Sequence, residues 1–339
     1  MVLLLFLGIG LIMAMYHGAV FWVPLAFAGL LSLLFLPLIR RLRGWGWPDW
    51  AAIGVCVLIL VLLVAVLVGL ITYQVNAVAQ QWPQVQAQLV ERIEWLRAYA
   101  IEDLGLSGQR LDAILDQASQ SQQSVQRVLG NFIGSFFSST TNVLLTVVYM
   151  VFLLLARQRL KRFLLRLVPE EDQQAGREVI AASERVASSY LGGRLILMAA
   201  LGAFYAIGFW IAGVPNAFSL AVLAGALSII PYLGNILGAA IAIAFSIASG
   251  EGFTALLGVL ATMSLAQVLE NNVLQPWVIG SQVQLNPLFT FTAIIAFGLI
   301  WGVPGTIVAI PLVGIFKQVC QRVPGLQAVA YVMDWGDET

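Results

Sequence analysis

The chain has 339 residues, of which 60% are hydrophobic and only 10% are charged, and its formal net charge is zero. Soluble domains carry roughly 25% charged residues, so this composition excludes an ordinary soluble protein and indicates an integral membrane protein. A zero net charge gives no basic field for nucleic acid. The apolar stretches do not alternate as barrel strands do, so we predict an all-α polytopic membrane protein with about eight transmembrane helices.

Residues 1–72 are predicted to form the N-terminal transmembrane helices. Leu3–Tyr16 is a short apolar run, and no Lys or Arg precedes it, so it lacks the charged start of a secretory signal and is expected to be a retained helix. Ala19–Ile39 and Ala51–Thr72 are each long enough to cross a hydrocarbon core of about 30 Å at about 1.5 Å per residue.

A polar, glutamine-rich insertion follows at residues 73–130, and we expect it on the extracytoplasmic side of the membrane. Apolar residues recur at helical spacing in its first half, at Val85, Leu89, Ile93, Leu96 and Ala100. The stretch LGLSG at 104–108 is expected to end this helix, and a second one is expected from about Gln109. Two roles stay open: a gating or assembly element, or an amphipathic hairpin lying on the membrane surface.

Another transmembrane helix is predicted at residues 131–156, and a basic interfacial linker at 157–194. The linker opens with RQRLKRFLLRL, which is typical of an amphipathic helix at an anionic membrane surface. VPEEDQQ at 168–174 then begins a new helix with acids in its first turn. Most basic residues fall at 40–43, in this linker and at 317–322, so the positive-inside rule predicts cytoplasmic N- and C-termini, including the tail 321–339.

The C-terminal core, residues 195–320, contains two long apolar segments with an interruption in each. As straight helices, Ala217–Ser249 and Pro287–Phe316 would be roughly 45–50 Å long, which exceeds the bilayer core. The interruptions read IIPYLGN at 229–235 and IWGVPGT at 300–306, where proline removes a backbone donor and glycine frees φ. The predicted helix-break residues are Pro231, Gly234, Gly302, Pro304 and Gly305.

Paired interruptions of this kind are typical of a transporter's binding site, although kinked packing helices would also show them. Each segment could be a kinked crossing or a re-entrant hairpin. The two alternatives give the intervening span, Phe253–Leu269, opposite directions across the membrane. The positive-inside rule cannot decide between them, because no Lys or Arg occurs from Leu195 to Phe316. The acids in that range are Glu251, which we expect to be solvated in a loop, and Glu270.

Glu270 is the main candidate for a functional residue. A carboxylate at the membrane edge is a functional candidate by default, and it opposes the helix dipole at the end of its own helix. It could pair with a distant cation such as Arg194 or Lys317, carry a proton, hold a mobile cation, or be wetted by headgroups. Asn271 or Asn272 is expected to form a left-handed C-cap. The candidate transport and coupling residues are Glu270, Asn271, Asn272, Gln275, Asn235 and Tyr232.

The blocks GVP…IPYLG (213–234) and ENNVLQPWVIG…IP (270–311) resemble the AI-2E transporter family of bacterial inner-membrane proteins, and the resemblance covers nearly the whole chain. It implies about eight membrane helices, a homo-oligomer, expected to be a pentamer, and export of small molecules such as autoinducer-2; some relatives resemble sodium/proton antiporters instead. The family's patterned positions here are Gly213, Pro215, Pro231, Gly234, Glu270, Asn271, Pro276, Gly280, Pro287, Gly302, Gly305 and Pro311. Trp277 stands where relatives often carry a basic residue, which puts an anion-binding role there in doubt.

The sequence therefore predicts a secondary transporter that exports a small molecule using an ion or proton gradient. No Walker motif, metal constellation or catalytic set is present, so neither enzyme activity nor a metal or cofactor is expected. A monovalent cation/proton antiporter is the alternative, and an oligomeric envelope scaffold is the reading from another class. The expected partners are the substrate, the lipid bilayer and further copies of the chain. Ionised Glu270 would repel the anionic borate ester of autoinducer-2, so that substrate would require a protonated Glu270.

Overall fold

The computed structural model describes residues 2–102, 140–248, 253–278, 285–323 and 325–334, and the regular structure in these ranges is helical. Six helices there are long and apolar enough to cross a membrane. Shorter apolar helices accompany them, and the all-α polytopic fold is confirmed. Several expectations lie outside the described residues: the helix break at 104–108, the second helix of the insertion, the first part (131–139) of the helix predicted at 131–156, the Glu251 loop and Gly280.

The helices are numbered in chain order. They are α1 Val2–His17, α2 Ala19–Gly44, α3 Asp49–Glu102, α4 Thr140–Arg166, α5 Gln173–Ile211, α6 Ala217–Leu227, α7 Leu233–Ala248, α8 Phe253–Leu269, α9 Gln275–Val278, α10 Pro287–Arg322 and α11 Gln327–Met333. A 3-10 turn, Glu170–Asp172, precedes α5, and a π-helical turn, Glu270–Leu274, joins α8 to α9.

Several predicted segments belong to helices longer than the sequence suggested. Helix α3 continues from its membrane span to Glu102, so no helix break occurs where the insertion begins. The basic run from Arg157 to Arg166 extends the span of α4 rather than forming a separate helix. Helix α5 likewise carries the second half of the linker directly into the next span.

The described chain divides into two compact units. The first contains Met1–Ala65, Ser139–Ile196 and Leu274–Thr339, and the second contains Val66–Ser138 and Leu197–Val273. In the first unit, Ile39 of α2, Cys56 of α3 and Leu154 of α4 are buried in one apolar cluster. Asp49, in the first turn of α3, pairs with Arg43 at 3.0 Å and with Arg157 at 2.9 Å. These ion pairs connect α2, α3 and α4.

Helix α10 folds back on itself at Gly302. This residue has φ 66° and ψ −147°, a conformation that glycine adopts without the steric cost of a Cβ. Ala293 packs in one cluster with Ala309, although a straight helix would hold them about 24 Å apart. A Cβ added to Gly305 would lie 2.0 Å from the carbonyl oxygen of Phe297. The second broken segment is therefore a helical hairpin, named hairpin B.

Both ends of hairpin B meet the same C-terminal segment. The Asn286 N–H, at the start of the first leg, donates to the carbonyl oxygen of Met333 at 2.9 Å. Lys317, near the end of the second leg, donates to Asp334 at 2.7 Å. Because residues 333 and 334 are adjacent, the two ends of the hairpin lie together, which is the geometry of a re-entrant segment and not of a kinked crossing.

Helices α6 and α7 form an equivalent hairpin in the second unit, named hairpin A. Its break, residues 228–232, includes Pro231 and ends at Tyr232, which has φ 63°. A Cβ on Gly238 would lie 2.9 Å from the Cβ of Ala224, and a Cβ on Gly234 would lie 1.8 Å from the carbonyl oxygen of Leu227. These antiparallel approaches show that the first broken segment also turns back.

Small residues hold α5 and α8 close together in the second unit. A Cβ on Gly208 of α5 would lie 2.2 Å from Cγ2 of Thr262, and one on Gly258 of α8 would lie 2.4 Å from the Cβ of Ala212. The order of these contacts makes the two helices antiparallel, and small residues at such crossings are common in membrane bundles. The hydrogen bond from Asn235 to Glu270 places the C-terminal end of α8 beside the break of hairpin A.

Candidate functional site

Glu270 lies at the junction of α8 and the π-helical turn, and it is only 4% exposed. A π-helical turn widens the helix and is frequent at functional sites. Asn235, in the first turn of α7, comes directly after the break of hairpin A. The fold brings these two residues into contact although they are 35 positions apart in the sequence.

Three carboxamides and the carboxylate form one hydrogen-bonded chain, which we call the amide chain. Asn235 Nδ2 donates to Glu270 Oε2 at 2.7 Å and to Gln267 Oε1 at 3.0 Å. Gln267 Nε2 in turn donates to Asn271 Oδ1 at 3.0 Å. Each amide is therefore oriented by the next one, and the nitrogen of Asn235 faces the carboxylate.

The other end of the Asn235 amide is left without a partner. Its Oδ1 is buried and accepts no hydrogen bond within the part of the chain that the structure describes. A buried acceptor without a donor costs about 1–3 kcal/mol. Such a cost is acceptable at a site where a ligand supplies the missing interaction.

The dipoles of α8 and α7 have opposite effects on the stability of a negative charge at Glu270. The carboxylate follows the C-terminal end of α8, whose partial negative charge disfavours it. It also accepts a hydrogen bond from Asn235 in the first turn of α7, where the partial positive charge of a helix N-terminus favours an anion. The broken helix thus supplies local stabilisation for a buried carboxylate that α8 alone would not.

The predicted left-handed C-cap at Asn271 or Asn272 is wrong. Within the described residues, the non-glycine positions with positive φ are Asn216 and Tyr232. Asn271 instead accepts from Gln267, and Asn272 Nδ2 donates to the carbonyl oxygen of Val268 at 2.9 Å. Both asparagine side chains bond back along the helix, which continues through the π-helical turn to Val278.

The remaining candidates lie in different places. Tyr232 is half exposed at the break of hairpin A, and Asn272 is exposed on the π-helical turn. Gln275 begins α9, which belongs to the first unit. The break residues of hairpin B, Gly302, Pro304 and Gly305, also lie in the first unit. The structure therefore brings together Glu270, Asn271 and Asn235, and it adds Gln267.

The two basic residues considered as distant partners of Glu270 both belong to the first unit. Lys317 forms the ion pair with Asp334 described above. Arg194 lies on α5 and is 7% exposed.

Gln267 was not selected from the sequence. It precedes Glu270 by three positions and Asn271 by four, the spacing that places side chains on one helix face. That spacing, together with the scarcity of polar residues in α8, is the signal that could have identified it.

The sequence is similar to one protein family and to several named proteins. The family model described as "AI-2E family transporter" matches residues 2–325. YrrI and YueF of Bacillus subtilis (strain 168), both named "Putative transport protein", are 28% and 26% identical over 51% and 87% of this chain, covering 48% and 82% of their own lengths. The "AI-2 transport protein TqsA" of Escherichia coli (strain K12) is 25% identical over 92% of this chain and 88% of its own length. The chain belongs to the AI-2E family of membrane transporters.

Proposed function

We propose that this protein is a secondary transporter of the bacterial inner membrane, with both termini in the cytoplasm, that exports a small molecule by means of an ion or proton gradient. We further propose that it acts as a homo-oligomer. The relationship to a protein named for autoinducer-2 transport supports export of a small polar molecule. The observation that carries the coupling role is the buried Glu270 carboxylate, bonded to Asn235 at the break of hairpin A.

The coupling role follows from hydrogen-bond chemistry. An ionised carboxylate only accepts hydrogen bonds, whereas a protonated one also donates. A change in the charge state of Glu270 would therefore alter the bond from Asn235 and, through it, the bond from Asn235 to Gln267. Occupancy of the carboxylate is in this way linked to the conformation of the hairpin break, which is where broken-helix transporters bind ions and substrate.

A monovalent cation/proton antiporter is the second candidate function. It is favoured by the composition of the amide chain, since carboxylate and carboxamide oxygens are ligands suited to hard cations. Ionised Glu270 disfavours an anionic substrate at the same place. The borate ester of autoinducer-2 is therefore a poorer candidate than an uncharged substrate unless Glu270 is protonated.

The experiment is flux through purified protein reconstituted in liposomes, with an imposed sodium or proton gradient. Glu270→Gln keeps the size of the side chain and removes its charge, so gradient-driven flux should fall by at least about tenfold. Glu171→Gln, which removes an exposed acid outside the amide chain, is the matched control and should transport like the wild type. Unchanged gradient dependence in Glu270→Gln would contradict the coupling role.

The alternative to a coupling role is that Glu270 forms a fixed, structural ion pair with Arg194, and a second experiment distinguishes the two. Removing one partner of a buried ion pair costs about 3–5 kcal/mol, and removing both relieves much of that cost. Additive changes in the unfolding midpoint of Arg194→Gln, Glu270→Gln and the double variant would support a site for a mobile ion. Recovery of stability in the double variant would assign Glu270 to a structural pair and contradict the proposal.

A further inference from the structure

We propose that the end of α4 and the turn between α2 and α3 form a binding site for the phosphate of an anionic phospholipid, with Arg43 and Lys161 as its cationic ligands. The site lies at the membrane surface that is proposed to be cytoplasmic. It involves neither Glu270 nor hairpin A, so it goes beyond the proposed transport function and does not depend on it.

Three charged residues, which we call the Asp49 cluster, hold the ends of three membrane helices at one level. The Asp49 carboxylate of α3 pairs with Arg43 Nε of α2 at 3.0 Å and with Arg157 Nη2 of α4 at 2.9 Å. Each of these residues lies within four positions of a long uncharged run in its own helix. The cluster therefore marks the boundary between the hydrocarbon core and the headgroup layer.

Lys161 lies one helical turn beyond this boundary, because α4 continues without a break to Arg166. Its spacing of four residues from Arg157 puts both side chains on the same face of α4. At about 1.5 Å per residue, Lys161 is about 6 Å further from the core than Arg157. The headgroup layer is roughly 5–7 Å thick on each side of the core, so Lys161 reaches the depth of the phosphates.

The protein does not neutralise the positive charge at this place. Arg43, Arg157 and Lys161 carry three positive charges, and Asp49 carries one negative charge. Arg157 is occupied, because Nη1 donates to the carbonyl oxygen of Leu154 at 2.8 Å and Nη2 to Asp49. Arg43 pairs through Nε, and neither its terminal nitrogens nor Lys161 Nζ bonds to another group among the residues that the structure describes.

This arrangement selects a ligand with a net negative charge. The free donors of Arg43 and Lys161 are suited to phosphate oxygens, since guanidinium and ammonium groups both form charge-assisted bonds with them. A zwitterionic headgroup carries its own ammonium group, which the excess positive charge would repel. The headgroup of an anionic phospholipid has no such compensating charge.

The turn between α2 and α3 supplies an apolar surface that favours a lipid over a free phosphate ion. Trp45, Trp47 and Trp50 are 76%, 45% and 75% exposed. The Trp47 N–H donates to the carbonyl oxygen of Leu42 at 3.2 Å, which fixes the shape of the turn. Indole rings are enriched at the level of the headgroups. Because Trp50 directly follows Asp49, its ring is available beside the cluster to cover the glycerol and the upper acyl chains.

The test is binding of phosphatidylglycerol to the purified full-length chain in detergent, measured as a rise in the thermal unfolding midpoint. A ligand that binds the folded state stabilises it according to its saturation. Phosphatidylcholine with the same acyl chains and inorganic phosphate are titrated in parallel. We expect a saturable rise with phosphatidylglycerol that the other two do not give, and a weaker affinity at high salt.

Three variants test the residues of the site. A basic residue near a membrane surface contributes about fivefold to the affinity for anionic lipid, so Lys161→Gln and Arg43→Gln should each need about fivefold more phosphatidylglycerol. Arg159→Gln is the matched control, since Arg159 is also an exposed cation of α4 but lies about 160° around the helix from Lys161. It should change the affinity by less than about twofold.

Four results would overturn the site. Phosphatidylcholine could stabilise the wild type as much as phosphatidylglycerol does, or inorganic phosphate could do so at the same concentration. Equal losses of affinity in Arg159→Gln and Lys161→Gln would indicate a diffuse positive field and no discrete site. A changed number of subunits in Lys161→Gln with unchanged lipid affinity would assign the surface to contacts between copies of the chain. Where Arg43→Gln lowers the midpoint without lipid, because its pair with Asp49 is lost, the affinity of Lys161→Gln decides.

Discussion

Replacement of Gly234 by alanine tests whether hairpin A exists as described. A Cβ at this position would lie 1.8 Å from the carbonyl oxygen of Leu227, 2.4 Å from its carbonyl carbon and 2.7 Å from the Cα of Ser228. Real Cβ atoms essentially never approach other heavy atoms within 3.0 Å, so the two legs must separate by at least about 1.2 Å. All three atoms belong to the backbone, and no side-chain rotation can relieve the overlap.

The cost can be scaled against two other glycines. Overpacking typically costs 1–3 kcal/mol and occasionally more, and an overlap with immovable backbone places Gly234→Ala at about 3 kcal/mol or above. Gly238→Ala meets the Cβ of Ala224 at 2.9 Å, only about 0.1 Å inside the 3.0 Å limit, and this smaller overlap should cost about 1 kcal/mol. Gly54→Ala, in α3, has nothing within 4 Å, so it should be neutral or slightly stabilising, because alanine is the better helix former.

The assay is the thermal unfolding midpoint of each variant in detergent, followed by size-exclusion chromatography with fluorescence detection. The expected order of destabilisation is Gly234→Ala, then Gly238→Ala, then Gly54→Ala. Equal midpoints for Gly234→Ala and Gly54→Ala would mean that α6 and α7 do not approach each other, and the first broken segment would then be a kinked crossing.

Two further predictions test the helix packing. Leu288→Cys and Val323→Cys, each in a cysteine-free background, place a thiol at the two ends of hairpin B. Both should react with a membrane-impermeant thiol reagent added to the same side of the membrane. Reaction from opposite sides would show that the segment is a kinked crossing. Gly208→Ala should destabilise the chain because its Cβ would lie 2.2 Å from Cγ2 of Thr262. Adding Thr262→Ala should recover part of the lost midpoint, and a purely additive loss in the double variant would show that α5 and α8 are not packed at this point.

The membrane helices and their interruptions follow from local features of the sequence, and the contacts at the site do not. Hydropathy locates the spans, and proline with glycine predicts breaks at residues 229–235 and 300–306. These breaks can be predicted because the lost N–H donor of proline and the free φ of glycine change the backbone at the residue itself. The predicted left-handed backbone at Asn271 or Asn272 is wrong. A local capping preference favoured a left-handed Asn271 or Asn272, whereas hydrogen bonds to the preceding turn keep both helical.

The pairing of Asn235 with Glu270 could not be derived from either residue's neighbourhood. It depends on hairpin A turning back and on α8 packing antiparallel to α5, which small residues permit but do not specify. Gln267 lies within the local pattern, but its role becomes evident only once Asn235 is placed beside it. The identity of Glu270 as a candidate was accessible because an acid in an apolar, cation-free stretch is unusual in any fold.

Hairpin A fixes the direction of α8 relative to α5, about which the distribution of basic residues says nothing. A kinked crossing at residues 217–249 would start α8 on the side opposite the end of α5, whereas a re-entrant hairpin starts it on the same side and makes the two helices antiparallel. The close approaches of Gly208 to Thr262 and of Gly258 to Ala212 have the antiparallel order. With the proposed cytoplasmic N-terminus, α5 then runs outward and α8 inward, so the end of α8 that carries Glu270 lies toward the cytoplasm.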